Sequence, residues 1–223
     1  PYVYDEEYAT KLDEVAKANK VRVLGTGLWP TWMDIDLPLL LSAGSRNVTF
    51  VRYARKSDFR PYMNSVVAKH FGVGVTRSEF EKQTSAGVIV GHVGFEGSFE
   101  RLSRYFGWNI DAIEKTVQPI YGDDGISHAV ETSAVAKEKG RVRAEMSLHA
   151  ATRPDIESSD AIEIRGEPDI HMMIAPAVGG PRPVANVLVN QIPFCLSSKP
   201  GVVMRPTVQA FAFGADCASL VQA

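Results

Sequence analysis

The residues that could do chemistry are sparse, and most lie on loops in the first half of the chain. Gly25-Thr26-Gly27 follows a short apolar run and precedes LWPTW at residues 28–32. Glycines at such a turn let the backbone approach the diphosphate of a dinucleotide at the start of a helix. Pro30 stands at the third glycine position of that fingerprint, and no strand with an acidic ribose ligand follows. The sequence therefore favours a plain tight turn over a phosphate loop.

Two tryptophans occupy the loop that follows this turn. Trp29 and Trp32 flank Pro30 at the carboxyl end of a predicted strand, which is where open α/β sheets bind their ligands. Each indole N–H could orient a polar substrate, or it could donate to a nearby carbonyl group as packing aromatics do. The sequence alone favours neither interpretation.

His92 and Arg55 are the other candidate binding residues. His92 lies in the GHVG motif at residues 91–94, just ahead of a predicted helix, where a small ligand can come close to the main chain. A structural histidine is the alternative interpretation. Arg52 and Arg55 are three residues apart on a predicted strand, so they point to opposite faces and only one can meet a substrate carboxylate. The alternative is a pair of surface arginines.

Charge and composition argue against several classes of partner. Lys and Arg total 24 against 26 Asp and Glu, which leaves a net charge of −2 and no basic stripe for nucleic acid. The apolar run at residues 37–41 is far shorter than the roughly 18 residues of a membrane span. Neither the histidines nor the cysteines have metal-ligand spacing, so we expect no metal. The acidic N-terminus has no signal-peptide core, which predicts a cytoplasmic protein.

Residues 1–44 have the pattern of an α/β unit. Asp5 is predicted to cap an amphipathic helix whose inner face comprises Tyr8, Leu12, Val15, Ala16 and Asn19. A strand and a second helix follow, at residues 21–24 and 34–43. This helix, strand, helix succession is typical of the last piece of a dinucleotide-binding domain.

Strand patterns dominate the remainder, residues 45–223, and predict an α+β domain with a mixed or antiparallel sheet and helices. The predicted strands lie at residues 48–55, 112–121, 142–152 and 161–176, the last interrupted by a turn at Gly166-Glu167-Pro168. The predicted helices lie at residues 61–71, 76–84, 95–106 and 184–196, the second with a Thr76–Glu79 capping box. The polar stretch 123–141 is predicted to be a mobile loop, and the tail from Pro200 is predicted to pack over the sheet.

Several separated segments resemble the DapB-like NAD(P)-dependent amine dehydrogenase family, which includes 2,4-diaminopentanoate dehydrogenase. The segments are residues 12–30, 71–120, 161–174, 184–193 and 200–204. The GHVG motif, with GVG at residues 72–74 and TRSEF at residues 76–80 upstream of it, is the most specific part. The resemblance spans nearly the whole chain.

The resemblance implies the C-terminal, substrate-side part of an oxidoreductase that deaminates a 2,4-diaminopentanoate-like amine with NAD or NADP. It implies a dihydrodipicolinate-reductase-like C-terminal domain, preceded by a Rossmann half that binds most of the cofactor. That half and the catalytic acid/base glutamate are expected upstream of Pro1. A small-molecule amine or amino acid as substrate and a homodimer formed through the sheet domain are implied as well.

The site residues are carried over from the resemblance one by one. The family's asparagine-proline-glycine-phenylalanine loop corresponds to residues 29–32, where only the proline is retained, and its GHVG histidine is His92. Tryptophan in place of the asparagine implies a more apolar pocket. The residues expected on the substrate side are Trp29, Trp32, Arg55 and His92, and those expected near the cofactor are Gly27 and Pro30.

Two other functions stay open. The chain could be a stand-alone binding or scaffold subunit that pairs with a separate nucleotide-binding partner. It could also be an oxidoreductase of the dihydrodipicolinate reductase or homoserine dehydrogenase type. The GHVG motif and the VNQIP segment at residues 189–193 favour the amine dehydrogenase family over this second alternative.

Overall fold

The structure is a computed structural model that describes residues 5–63, 65–153 and 156–204. Its first elements are a helix and a small parallel sheet, namely α1 (Glu6–Ala18), β1 (Arg22–Val23) and β8 (Gly201–Val202). Asp5 caps α1 by accepting a hydrogen bond from the Tyr8 N–H at 2.8 Å. The predicted helix and strand are confirmed. Their assignment to a Rossmann domain that ends at residue 44 stays a prediction, and Pro1-Tyr2 lies outside the described residues.

The inward face of α1 agrees with the predicted one only in part. Ala16 is buried as predicted, and so is Ala9, whereas Tyr8 and Val15 are each 60% exposed. The helix lies very close to β8, where a Cβ added to Gly201 would meet the side chains of Asp13 and Lys17 at 2.5 and 3.1 Å.

The predicted extended tail is described as far as Met204. Gly201 N–H donates to the Val21 carbonyl at 2.9 Å, and Val203 N–H donates to the Val23 carbonyl at 2.8 Å. This described part adds a strand beside β1, because pairing satisfies backbone groups of both segments. The prediction for the remainder of the tail falls outside the described residues.

A six-stranded sheet forms the larger part of the structure. Its strands are β2 (Arg46–Asp58), β3 (Ala112–Tyr121), β4 (Ser127–Glu138), β5 (Arg141–Ala151), β6 (Ser159–Glu167) and β7 (Ile170–Ile174). They lie in the order β3-β4-β5-β2-β6-β7, and all neighbours are antiparallel except β5 and β2, which are parallel. The predicted mixed, largely antiparallel sheet is confirmed, as is the hairpin of β6 and β7.

Strand β4 shows that the predicted mobile loop at residues 123–141 is wrong. The strand pairs with β3 on one side and with β5 on the other. Its buried side chains are mostly small or polar, and those of Ser127, Ala129, Val130, Thr132, Ala134 and Ala136 are all exposed by 2% or less. Small side chains produce little apolar alternation, so the pattern concealed a strand inside the sheet.

The helices between the strands follow the predicted positions with two exceptions. They are α2 (Leu37–Ser42), α3 (Ser65–Phe71), α4 (Arg77–Ser85), α5 (Phe95–Phe106), α6 (Pro181–Asn190) and α7 (Ile192–Ser197). The Thr76–Glu79 capping box of α4 is present, and α5 ends at Gly107 in the left-handed conformation. The first exception is the predicted helix 61–71, which is a 3-10 turn (Arg60–Tyr62) followed by α3.

The second exception is the predicted helix 184–196, which is divided into α6 and α7 at Gln191. Pro193 lies in the first turn of α7. A proline there has no N–H to donate to the carbonyl of Val189, and its ring clashes with that carbonyl in a continuous helix. The helix must therefore restart at this point.

One face of the main sheet carries the principal core. Helix α5 and the segment that leads into α2 pack on strands β2, β4, β5 and β6. Fully buried members include Tyr53, Phe95, Phe99, Met146 and Ile164. This packing brings the loop before α2 and the loop before α5 side by side over the sheet. Within the described residues, no helix is long and apolar enough to cross a membrane.

Candidate functional site

The candidate site is built around the side chain of Trp29. The segment Leu28–Asp36 is a π-helical stretch interrupted by extended backbone at Trp29 and Pro30. This break turns the Trp29 indole onto the sheet, where it stacks on the His92 imidazole with ring centroids 3.9 Å apart and planes 2° apart. Tyr53 and Phe95 approach the same indole at 5.7 and 6.1 Å. Trp29 and His92, predicted from separate motifs, therefore form one contact.

Asp34 anchors the Trp29 loop from inside the protein. It is fully buried, and its carboxylate accepts hydrogen bonds from Thr31 N–H at 2.7 Å and from the Ser98 hydroxyl at 2.6 Å. Ser98 belongs to α5, so this one carboxylate ties the two loops together. Burial raises the pKa of Asp34 to about 6, although the hydrogen bonds from Ser98 and Thr31 oppose that rise.

The glycines of the GHVG motif are required by close contacts. Gly91 has φ of 62°, and a Cβ there would lie 2.4 Å from Thr132 Oγ1. The same hydroxyl accepts from the His92 N–H at 3.1 Å. Gly94 has φ of 107°, and a Cβ there would lie 3.0 Å from Pro30 Cγ. The left-handed backbone and the lack of space both favour glycine, and the Gly94–Pro30 contact joins the two motifs.

His92 is a neutral imidazole in this setting. Burial, together with the charges of Lys115 and Arg55, lowers its pKa to about 3. Among the described residues, neither His92 Nε2 nor Trp29 Nε1 has a hydrogen-bond partner, and both atoms are buried. The stacked pair therefore contains two buried polar nitrogens that have no hydrogen-bond partner among the described residues.

A buried ion pair lies behind Trp29. Arg55 Nη1 donates to Asp160 Oδ1 at 3.1 Å, Arg55 Nη2 donates to the Val178 carbonyl at 2.8 Å, and the Tyr53 hydroxyl donates to Asp160 at 2.6 Å. The guanidinium lies 6.0 Å from the Trp29 ring centre. Burial and the Asp160 charge raise the pKa of Tyr53 above its ordinary value, so this hydroxyl keeps its proton. Arg55 therefore lies within cation–π distance of the Trp29 ring.

The structure brings only some of the predicted site residues into contact. Trp29, Pro30 and His92 lie together, and Arg55 is beside them with its guanidinium held by Asp160 and Val178. Trp32 N–H donates to the Gly27 carbonyl at 3.3 Å, which closes the loop, and the Trp32 ring packs half-buried against the core. A direct substrate contact for Arg55 or Trp32 and a cofactor contact for Gly27 or Pro30 stay predictions.

Several residues of the site were missed by sequence reasoning. Asp160 lies in phase with the buried Ile162 and Ile164 of β6, and Asp34 lies inside the apolar run before α2. A carboxylate at a position whose neighbours predict burial was the available signal in both cases. The described residues contain no group of three or more His, Cys, Asp or Glu side chains that could hold a metal ion.

Comparison with known proteins assigns the chain to a family. A sequence profile of the 2,4-diaminopentanoate dehydrogenase C-terminal domain matches residues 33–214, which is most of the chain. The chain belongs to this family. The resemblance inferred from the GHVG motif and its companion segments is confirmed.

Two relatives of the 2,4-diaminopentanoate dehydrogenase C-terminal domain family are informative. The 2,4-diaminopentanoate dehydrogenase of Acetoanaerobium sticklandii is 29% identical over 217 residues, which cover 91% of this chain and 61% of that protein. The amine dehydrogenase from Mycobacterium smegmatis superposes with a TM-score of 0.75 at 19% identity, over 91% of this chain and 63% of that one. The fold is shared, and the chain spans less than two thirds of the length of either relative. The finer likeness to dihydrodipicolinate reductase stays a prediction.

Proposed function

We propose that this chain is the substrate-side part of an NAD(P)-dependent dehydrogenase that oxidatively deaminates an amine similar to 2,4-diaminopentanoate. Family membership supports the reaction class. The observation that carries the proposal is the Trp29–His92 stack, because it unites the two loops on which the resemblance depends. The Gly94–Pro30 contact and the Asp34 hydrogen bonds hold these loops in a fixed relation.

The nicotinamide end of the cofactor fits the loop that leads to Trp29. Gly25 and Gly27 have open space where a Cβ would lie, and the buried Thr26 Oγ1 has no hydrogen-bond partner among the described residues. The loop follows β1, which is paired in parallel with β8, at the carboxyl edge where such sheets bind ligands. The described residues contain no three-glycine turn for the diphosphate, so we propose contact with the nicotinamide end alone.

A bound nicotinamide would supply the acceptor for the hydride of the carbon that bears the amine. Loss of this hydride and a proton would leave an imine, which water would hydrolyse to a ketone and ammonia. The residues of this chain orient that carbon. The Trp29–His92 stack forms an apolar wall that excludes water, and the neutral His92 presents no charge to repel the ammonium group of the substrate. The Arg55–Asp160 pair keeps the Trp29 ring in place.

We also propose that the protein is a homodimer formed through the sheet domain. Large apolar side chains are exposed on both edge strands of the main sheet, with Ile113 and Ile120 on β3 at 41% and 43% and Met173 on β7 at 71%. Apolar groups at an unpaired sheet edge favour contact with another chain. Light scattering on the full-length protein gives the mass: a dimer supports the proposal, and a monomer contradicts it.

The activity is tested on the full-length protein encoded by the gene. Purified protein is incubated with NAD+ or NADP+ and a panel of primary amines, amino acids and hydroxy acids, and both reduced cofactor and released ammonia are measured. The proposal predicts one ammonia for each reduced cofactor with 2,4-diaminopentanoate or a close analogue. Oxidation of a hydroxy acid alone, or no oxidation of any amine, would contradict it and favour the scaffold or other oxidoreductase alternatives.

A further inference from the structure

Lys115 is a cationic residue of the edge strand β3 that belongs to neither site motif. It lies opposite Ala134 of β4, and Val117, two residues further along β3, lies opposite Thr132. Ala134 and Thr132 are both buried. Because paired residues of antiparallel strands share a face, Lys115 and Val117 project to the side of the sheet that carries the site.

The GHVG loop lies against this part of β3 and β4. A Cβ added to Gly91 would lie 3.1 Å from the methyl groups of Val117 and 2.4 Å from Thr132 Oγ1. Alternate side chains on a strand stand about 7 Å apart, so Lys115 is one step along the face from the loop that holds His92. Its four-carbon stem can span such a distance.

Next to burial of the imidazole, which is the largest cause, the charge of Lys115 lowers the pKa of His92 more than the charge of Arg55 does. Arg55 is already neutralised by Asp160 at 3.1 Å. Partial burial lowers the pKa of Lys115, whereas the negative charge of Glu96, at the start of α5, raises it. The described residues include no carboxylate in a salt bridge with Lys115. The ammonium group therefore stays available to an anion.

We propose that Lys115 is a specificity-determining residue that selects amines carrying a carboxylate group, an inference that rests on the proposed function. An amine without a carboxylate would bring its ammonium group towards Lys115 with no compensating charge. A carboxylate would instead form a charge-assisted hydrogen bond with Lys115 while the amine-bearing carbon lies at the Trp29–His92 wall. The unpaired nitrogens of Trp29 and His92 favour a ligand with polar groups at this position.

The test compares 2,4-diaminopentanoate with 2,4-diaminopentane, which has a methyl group in place of the carboxylate. Lys115→Met, which keeps the stem and removes the charge, is assayed in the full-length protein beside Lys115→Arg. Lys137→Met is the control, because Lys137 is paired with Glu114 at 2.6 Å on the other face of the sheet. We expect Lys115→Met to lower kcat/KM for the carboxylate substrate about tenfold or more, through KM. For the diamine, kcat/KM should be unchanged or higher, because the variant removes a repulsive charge.

The conservative variant and the control complete the kinetic comparison. Lys115→Arg and Lys137→Met should keep the preference of the natural protein for the carboxylate substrate. An equal loss on both substrates in Lys115→Met would overturn the proposal, because a merely structural role would affect the two alike.

A binding experiment separates this proposal from the proposed activity. Pentanoate, which has a carboxylate and no amine, is titrated into the full-length protein by calorimetry. We expect the natural protein and Lys137→Met to bind it and Lys115→Met to bind it at least about tenfold more weakly. If this holds and no amine is oxidised, the carboxylate site stands and the dehydrogenase function fails. No binding by the natural protein, or equal binding by Lys115→Met, overturns the proposal.

Discussion

At the scale of single residues, burial decides the protonation of the groups that hold the site together. His92 and Asp34 are both removed from water, and each therefore favours its uncharged form. The pKa of the histidine is lowered and that of the carboxyl is raised. The two residues thus make opposite contributions to the pH dependence of folding.

His92 is predicted to stay neutral well below its ordinary pKa. Its pKa in the folded protein is about 3, against 6.5 for a free histidine, so the stability it provides is full above pH 6.5 and is lost as the pH falls towards 3. Carbon chemical shifts of the imidazole, followed by NMR during an acid titration, measure this. Assignment by His92→Gln identifies the resonance, and a midpoint near 6.5 would show that the ring is solvated.

Asp34 should make the protein less stable as the pH rises. Its pKa is 3.8 when unfolded and about 6 when folded, so its favourable contribution is full below pH 3.8 and is lost as the pH rises through 6. Asp34→Asn should therefore gain stability relative to the natural protein between those pH values. Asp34→Ala should lose about 1–3 kcal/mol at low pH, because Thr31 N–H and the Ser98 hydroxyl lose their acceptor.

Urea denaturation of both Asp34 variants from pH 4 to pH 7 checks this expectation, with Asp5→Asn at the exposed helix cap as the comparison. A constant difference between Asp34→Asn and the natural protein over this range would contradict the assigned direction of the pKa. A neutral effect of Asp34→Ala would show that the two loops do not depend on this carboxylate.

Sequence reasoning identified the loop residues better than the buried ones. Trp29 and His92 stood in short motifs, and the structure brings their rings into contact. Asp34 and Asp160 gave no motif, since their roles depend on partners 64 and 105 residues away along the chain. A pattern of local spacing cannot reveal such partners, because only the folded sheet brings them together.

At the scale of elements, the crossing of the GHVG loop over β4 fixes where His92 lies. Gly91→Ala should lower the free energy of unfolding far more than Gly125→Ala. Both glycines have positive φ, 62° and 73°, but a Cβ on Gly125 meets nothing within 4 Å whereas one on Gly91 meets Thr132 Oγ1 at 2.4 Å. We expect about 1 kcal/mol of strain at Gly125 and about 2 kcal/mol more at Gly91.

Thermal unfolding of the two glycine variants measures the difference, and the double variant Gly91→Ala with Thr132→Ala tests its cause. Removal of the Thr132 hydroxyl should recover part of the loss, because it makes room for the new methyl group. Equal destabilisation by Gly91→Ala and Gly125→Ala would mean that backbone conformation, and not the contact with β4, requires glycine in the motif.

The elements that sequence reasoning placed well have strong local signals. The capping box of α4 and the left-handed Gly107 at the end of α5 depend on residues close together in the sequence, and both helices lie where predicted. Strand β4 has no comparable signal, because its buried side chains are chiefly alanine, serine and threonine. Its place between β3 and β5 is a tertiary property that overrides a weak local pattern.

At the scale of the whole molecule, the chain spans less than two thirds of the length of its relatives. The chain spans 61% of its relative from Acetoanaerobium sticklandii and 63% of the Mycobacterium smegmatis amine dehydrogenase. The loop from Gly25 to Trp32 connects β1, which is paired in parallel with β8, to the segment that packs on the main sheet. We expect this loop to meet the nucleotide.

The measurement that tests this account most directly is kcat/KM for 2,4-diaminopentanoate in the full-length protein and in three variants. Trp29→Ala and His92→Ala remove the wall, and Trp108→Phe alters a buried tryptophan that has no contact with it among the ring contacts described. The account predicts a loss of about tenfold to a hundredfold for the first two variants and less than about threefold for Trp108→Phe. Unchanged kcat/KM in Trp29→Ala and His92→Ala, with the fold intact, would contradict it.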